Sequence, residues 1–269
     1  MQKKNQNLLI YCLCLHNKLF NQVKKLNYIP VGLGKENFSS KWLRDNNGEN
    51  ISNKNSYYGE YSFHYWLWKN EFHNLPDNAW IGFCTYRRFW GNKKKMISSK
   101  IEEKIIQVVP SEWKNYEVIL GNPQNVQGLK WMKVIKYGKK ALIKNPKAIF
   151  RKNRNLKFQF DLFHGVGIID KAINLLDEDN KEDFREYLHK NNSYNHLNMF
   201  VVRSRGLLHE YYLVIFKWLE KCEKIFGFDL KGYNKIRIYA FLAERFMPYW
   251  FNKNAKVLEW PIIFEDLNK

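Results

Sequence analysis

The chain has 269 residues, 45% apolar and 17% aromatic, and 45 Lys and Arg against 26 Asp and Glu give a formal net charge of +19. This length suits one large domain or two small ones with a sizeable core, and no run approaches the roughly 18 uncharged apolar residues of a membrane span. The charge calls for an anionic partner, whether nucleotide, nucleic acid or acidic membrane surface, although a Lys- and Asn-rich coding bias explains the same number without a partner.

In chain order, the apolar run Leu8 to Leu15 follows Lys3-Lys4 as a signal peptide would. No small-residue cleavage site follows, and the run ends in His16-Asn17-Lys18, so it reads as a buried first strand. Further strands are expected at about 28–33, 80–86, 117–121, 199–203 and 257–264. Ser99 and Glu102 have capping-box spacing ahead of Ile101 and Ile105. Leu208, Tyr211, Tyr212, Ile215, Trp218, Leu219, Cys222 and Ile225 recur at three and four, which predicts a long amphipathic helix. Tyr239, Leu242, Phe246 and Trp250 mark another. Strands alternating with helices predict an α/β sandwich around a mostly parallel sheet, one domain over residues 1–269. Cys12, Cys14, Cys84 and Cys222 form no C-x-x-C pair and read as free thiols of a reducing compartment. His64, His73, His189 and His209 lack metal-ligand spacing and are expected at the surface.

From Asn122 to Phe160 there is no acidic residue, but there are eleven basic ones: Lys130, Lys133, Lys136, Lys139, Lys140, Lys144, Lys147, Arg151, Lys152, Arg154 and Lys157. Leu129, Trp131, Met132, Ile135 and Tyr137 lie among them. This basic insertion, at about 122–157, suits either an anionic lipid surface or a solvated variable loop.

Three blocks carry the chemistry. Asp45 to Asn55 is a polar turn, Tyr65 to Asn70 an aromatic helix, and Ile81 to Trp90 a strand that ends on Arg87-Arg88. Guanidinium forks match phosphate oxygens bidentately. Within one strand adjacent arginines face opposite ways, so both reach one phosphate only if the strand has ended; salt bridges to nearby carboxylates are the plainer use of the pair.

These blocks resemble a bacterial family, the domain of unknown function 4422, whose members belong to capsule, exopolysaccharide and lipopolysaccharide assembly. The family pattern Tyr-x-Pro-x-x-x-Gly appears as Tyr28 to Gly34, and Asp-x-x-Gly-x-Asn-Ile-Ser-x-Lys-Asn as Asp45 to Asn55. Glu60 and the Tyr-Trp-x-Trp-Lys-Asn of 65–70 follow, then the Tyr-Arg-Arg of 86–88, His196 to Phe200 and Ala243-Glu244-Arg245. The opening strand's His-Lys is matched loosely by His16 and Lys18, and Thr85 stands where the family has His. A hydroxyl there can hydrogen-bond a sugar or phosphate, but it is no general base at neutral pH.

The resemblance implies a GT-A-like fold and a nucleotide-sugar-dependent glycosyltransferase, a hexosyltransferase. The implied donor is a UDP-sugar, with a hexofuranose such as galactofuranose as one candidate. The acceptor would be a lipid-linked glycan at the inner face of the cytoplasmic membrane, during surface-polysaccharide synthesis. Donor-binding roles then fall on Asp45, Asn50, Ser52, Asn55, Lys69, Tyr86, Arg87, Arg88 and Asn198. Trp66 and Trp68 either stack on sugar or pack the core. The acceptor's proton would go to Glu244, Glu60 or His196, with Asp45 a further candidate; Glu244 serves equally well as an ion-pair partner of the arginines near it. Such folds usually hold Mg or Mn on an Asp-x-Asp. The literal match, Asp177-Glu178-Asp179, reads instead as a solvated turn and helix N-cap, which leaves the metal open. His164-Gly165-Val166-Gly167 precedes an apolar helix whose N-terminus suits phosphate. Two other classes fit the composition: a nucleic-acid-binding protein and a non-catalytic carbohydrate-binding scaffold.

Overall fold

The computed structural model describes residues 8–129, 132, 134–135 and 139–268. The expectations placed on Lys130, Trp131, Lys133, Lys136 and Tyr137 lie outside the described residues. The chain divides into two compact units, the first made of Met1–Asn122, Leu197–Val214 and Trp250–Lys269, the second of Pro123–His196 and Ile215–Tyr249.

The strands are β1 (Leu8–Cys14), β2 (Ile29–Gly32), β3 (Leu43–Arg44), β4 (Trp80–Thr85), β5 (Arg88–Trp90), β6 (Val118–Gly121), β7 (Gln124–Asn125), β8 (Ser193–Tyr194), β9 (Phe200–Val202), β10 (Val257–Trp260) and β11 (Ile262–Phe264). In the first unit the sheet runs β3-β2-β1-β4-β9-β6-β10. Every neighbouring pair is parallel except those of β9, which runs against both β4 and β6. β5 folds back on β4, and β11 pairs with β5. This is the α/β architecture with a mostly parallel sheet that the alternation of strands and helices predicts. Five of the six expected runs became single strands; the sixth, 257–264, breaks at Pro261 into β10, parallel to β6, and β11, antiparallel to β5. β3 and β5 did not announce themselves, because two or three residues are too few to show a period.

Period-two alternation assigns the faces. Ile10, Cys12 and Cys14 share one face with Trp80, Cys84, Ile119 and Val201, packed against Leu19, Val23, Trp113 and Trp260. Cys12 lies level with Cys84 in the ladder, and all four cysteines are buried and free of disulfides. On the other face Phe83 and Phe200 meet the helical aromatics: Phe83 lies 6.5 Å from Phe63, and Phe200 lies 5.7 Å from Tyr211 and 5.1 Å from Phe251. At the centre, a Cβ on Gly82 would sit 2.5 Å from Ile10 Cδ1 and 2.9 Å from Val201 Cγ2, so only glycine lets the neighbouring side chains close over β4.

The aromatic helix Tyr61–Trp66 passes into a π-helical turn, Leu67–Glu71. The predicted amphipathic helix spans Arg205–Phe226, and the last helix, Ile238–Asn254, contains Pro248. In the second unit Phe184 of the Glu178–Lys190 helix packs on Trp218, Phe246 and Tyr249 at 5.9, 5.2 and 5.0 Å. The indole of Trp218 donates to the Ala172 carbonyl at 2.7 Å. No helix among the described residues is long and apolar enough to cross a membrane.

Three local expectations need correction. The Ile101–Lys104 turn has no side-chain cap; Ser98, not Ser99, ties it, accepting from the Lys100 N–H and donating to Glu103. His64 is not at the surface but wholly buried, its Nδ1 2.8 Å from the Tyr212 hydroxyl and its ring 4.1 Å from Phe83. Burial pushes its pKa down to about 3. Arg154 and Lys157 also leave the solvated basic face. Arg154 is buried and donates to the carbonyls of Ala148 (3.0 Å) and Leu129 (2.7 Å). Lys157 is held between Asp161 and Asp170, where the two carboxylates raise its pKa against the opposing effect of burial.

Candidate functional site

The strand directions bring the carboxyl ends of β1, β2, β3, β4 and β6 to one edge of the sheet, the same edge at which β9 begins. In open α/β sheets, ligands bind in the crevice outside the carboxyl ends of the strands. His16 follows β1, Gly34 follows β2, Asp45 follows β3, Tyr86 and Arg87 follow β4, and Asn198 enters β9. Leu197 and Asn198 both have positive φ, 82° and 50°, so the chain turns sharply just before β9.

The turn Asp45–Asn55 is bolted to the aromatic helix. Asp45 is buried and accepts a 2.6 Å hydrogen bond from Ser62. Burial raises its pKa, opposed by that hydrogen bond. Asn55 donates to Ser62 Oγ (2.8 Å) and to the Gly59 carbonyl. The indole N–H of Trp66 donates to Asn47 Oδ1 at 2.6 Å, and Asn70 both donates to the Glu49 carbonyl and accepts from the Glu49 N–H. Gly48 has φ +58°, and a Cβ there would lie 2.0 Å from Asn70 Oδ1. The two motifs read separately in the sequence are therefore halves of one interlock. Asn50 closes the turn internally, accepting from the Ser52 N–H and hydroxyl.

This geometry redistributes the expected roles. Asp45, Asn55 and Trp66 spend their polar groups on the loop, and Trp66 keeps only 3% of its surface exposed. Lys69 pairs with Glu49 at 3.4 Å and lies over the Trp68 ring at 4.3 Å. Trp68 is half-buried, and its indole donates to His209 Nδ1 at 3.1 Å. Glu60 is half-buried at the start of the aromatic helix.

Arg87 and Arg88 differ from all of these. β4 ends at Thr85; Arg87 sits in the hairpin turn and Arg88, paired with Thr85, opens β5, so the two are not adjacent residues of one strand. Arg87 is exposed, its guanidinium 5.0 Å from the Tyr86 ring. Arg88 lies 4.2 Å from the Phe264 ring and gives one N–H to the Arg87 carbonyl. Among the described residues neither pairs with a carboxylate. Partial burial and the charge of Arg87 lower the pKa of Arg88. The turn is braced by the tail, where the Glu265 N–H donates to the Arg87 carbonyl and the Leu267 N–H to the Tyr86 carbonyl, both at 3.2 Å. His16, which carries no assigned role in the sequence reading, packs edge-on against Tyr86 at 5.4 Å and lies 3.6 Å from Glu36. Its place just after β1 was the signal that could have found it.

Glu244 and His196 belong to the second unit. Glu244 pairs with the buried Arg245 at 2.5 Å, and Arg245 also donates to Gln159 Oε1 at 2.6 Å and stacks 3.9 Å from the Tyr194 ring. His164 in the same unit is buried, with Nδ1 2.8 Å from the Asn234 carbonyl; burial, then the Arg245 charge, lowers its pKa to about 4. Its neighbour Gly167 precedes the six-residue helix Ile168–Ile173.

The Asp-x-Asp match does not fit a divalent cation. Asp177 precedes the Glu178–Lys190 helix, and its carboxylate takes Lys217 and Lys221 at 2.9 Å each, which lower its pKa. Two ammonium groups already satisfy and neutralise that carboxylate. No group of three or more His, Cys, Asp and Glu among the described residues is placed to hold a metal ion.

The fold is similar to that of a solved structure, the bifunctional glycosyltransferase WbbM in its apo form, with a TM-score of 0.66 and 19% identity. The similarity covers 96% of this chain and 45% of WbbM, so the chain spans less than half of that protein's length. Curated protein sequences give no match. Residues 10–255, which contain the interlocked turn, the arginine hairpin and the Glu244–Arg245 pair, match the domain of unknown function DUF4422, and the chain belongs to that family.

Proposed function

We propose that the protein is a glycosyltransferase whose nucleotide-diphosphate sugar binds at the carboxyl edge of the sheet in the first unit. The observation that carries this reading is the Tyr86-Arg87-Arg88 hairpin: two guanidiniums without carboxylate partners among the described residues, on a turn braced by the segment Glu265–Leu267. Uncommitted cations at the end of a central parallel strand suit a diphosphate. As the glycosidic bond to the donor phosphate breaks, negative charge grows on the leaving diphosphate, and guanidiniums carried on a braced turn stabilise it. The likeness to a glycosyltransferase fold agrees.

The finer reading is a UDP-sugar donor, with a hexofuranose such as galactofuranose as the candidate sugar, and a lipid-linked glycan acceptor in bacterial surface-polysaccharide assembly at the inner face of the cytoplasmic membrane. Asn50, Ser52 and Asn198 lie on loops that can contact ribose or sugar hydroxyls, and Trp68 is the indole left with exposed surface to stack on a ring. The acceptor hydroxyl's proton goes to a carboxylate, for which Glu60, in the same unit as the arginine hairpin, is the candidate. A thermal-shift series with UDP, UMP and uridine tests the central point, because a ligand that binds the native state raises apparent stability. UDP should stabilise far more than uridine; equal shifts, or none, overturn the diphosphate assignment.

A further inference from the structure

In the second unit, a small core of Val134, Ala141 and Ala148 packs against Phe158 and Leu162. The buried Arg154 staples the surrounding loop through the carbonyls of Ala148 and Leu129, so the segment has a fixed inner side. What it turns outward is unusual. Ile143 is 80% exposed, Phe150 63% and Met132 82%, with Ile135 and Ile149 also exposed. Interspersed with them along the chain are Lys139, Lys140, Lys144, Lys147, Arg151 and Lys152, all exposed, and none makes an ion pair with a carboxylate among the described residues. Single exposed apolar side chains are ordinary. Several within about twenty residues, set among unpaired cations in a stretch free of acid, are not.

We propose that this outward face, Lys139 to Lys152, is a docking surface for an anionic lipid bilayer. Ile143 and Phe150 would enter the headgroup–acyl boundary, and the flanking Lys and Arg would sit among lipid phosphates. The charge complementarity selects an anionic surface, and the exposed Ile and Phe select lipid over nucleic acid. Phosphodiester backbones take the cations but leave aliphatic side chains in water, and stacking on bases needs a row of aromatic planes, whereas Phe150 is the one exposed aromatic among the described residues of this segment. The inference deepens the reading of a lipid-linked acceptor and rests on it for its biological sense, but its test needs no sugar chemistry.

The full chain is sedimented with vesicles of neutral phosphatidylcholine, alone or mixed with anionic phosphatidylglycerol, across a salt series. Binding should require the anionic lipid and fall as salt rises. Changing Lys139, Lys140, Lys144 and Lys147 to Glu should reduce partitioning at least about a hundredfold, given the contribution of each cation near an anionic surface. The milder pair Ile143→Ser and Phe150→Ser should reduce it about tenfold or more. An environment-sensitive dye on Ile143→Cys should shift to the blue with anionic vesicles. Equal binding to neutral and anionic vesicles, a dye that does not shift, or salt-sensitive binding to RNA without vesicle binding overturns the proposal. So does loss of binding only on changing Met96 and Ile97, the exposed apolar pair beside Lys93–Lys95 in the first unit. Transfer to a water-soluble acceptor is measured in parallel: transfer without vesicle binding refutes this surface alone, and vesicle binding without transfer refutes the proposed function alone.

Discussion

Acid should unfold this protein through two buried imidazoles. His64 in the first unit and His164 in the second are held neutral by burial, with pKa values of about 3 and about 4 against 6.5 for a free side chain. Below pH 6.5 the unfolded chain takes up a proton at each position and the native chain does not, so stability falls with pH. Each contribution is complete above pH 6.5 and is lost as pH falls towards about 4 for His164 and about 3 for His64. At 1.36 kcal/mol per pH unit, each imidazole removes about 2 kcal/mol at pH 5, about 4 kcal/mol together. That is a large share of the stability of an ordinary domain. Urea denaturation at pH 7 and pH 5 measures it, comparing wild type with His64→Gln, His164→Gln and the double variant. Each Gln substitution has its own cost at both pH values, so the informative quantity is the difference between them. Each single variant should lose about 2 kcal/mol less than wild type on acidification. An undiminished acid loss in the double variant would refute the buried neutral imidazoles.

Arg88→Ala or Arg87→Ala should weaken UDP binding by roughly 1.5–3 kcal/mol, the scale of a charge-assisted hydrogen bond, while leaving the fold intact because neither guanidinium holds a carboxylate; unchanged affinity in calorimetry for both variants removes the phosphate role. Glu60→Gln should abolish transfer with donor affinity nearly unchanged; a normal kcat places the base elsewhere. Gly48→Ala should cost about 1–3 kcal/mol, because it adds a positive-φ penalty to a clash with Asn70, and Asn70→Ala should recover part of that loss in the double variant; a neutral Gly48→Ala would break the interlock reading.

The longer strands, the long helix and the class of fold were legible because each buries a face, and burial writes a period of two or of three to four into the sequence. The apolar runs at 8–14, 80–85 and 200–202 needed nothing more. The arginine pair was legible too, as a chemical type in search of an anion. Other features depended on residues far apart in the chain. His64 looks like any polar residue on an aromatic helix, and only the approach of Tyr212 from 148 positions away makes it a core histidine. Arg154 reads as one more cation in a basic run until its guanidinium meets the carbonyls of 129 and 148. Trp66 and Asp45 look like ligand contacts until Asn47 and Ser62 claim their polar groups. The hairpin at Thr85–Arg88, which puts Arg87 in a turn and Arg88 at the head of β5, comes from the pairing of β5 with β4 on one side and β11 on the other. Composition and local period report how much of a residue is buried on average; which partner satisfies a buried polar group is a question of distance in space, and only the folded chain sets those distances.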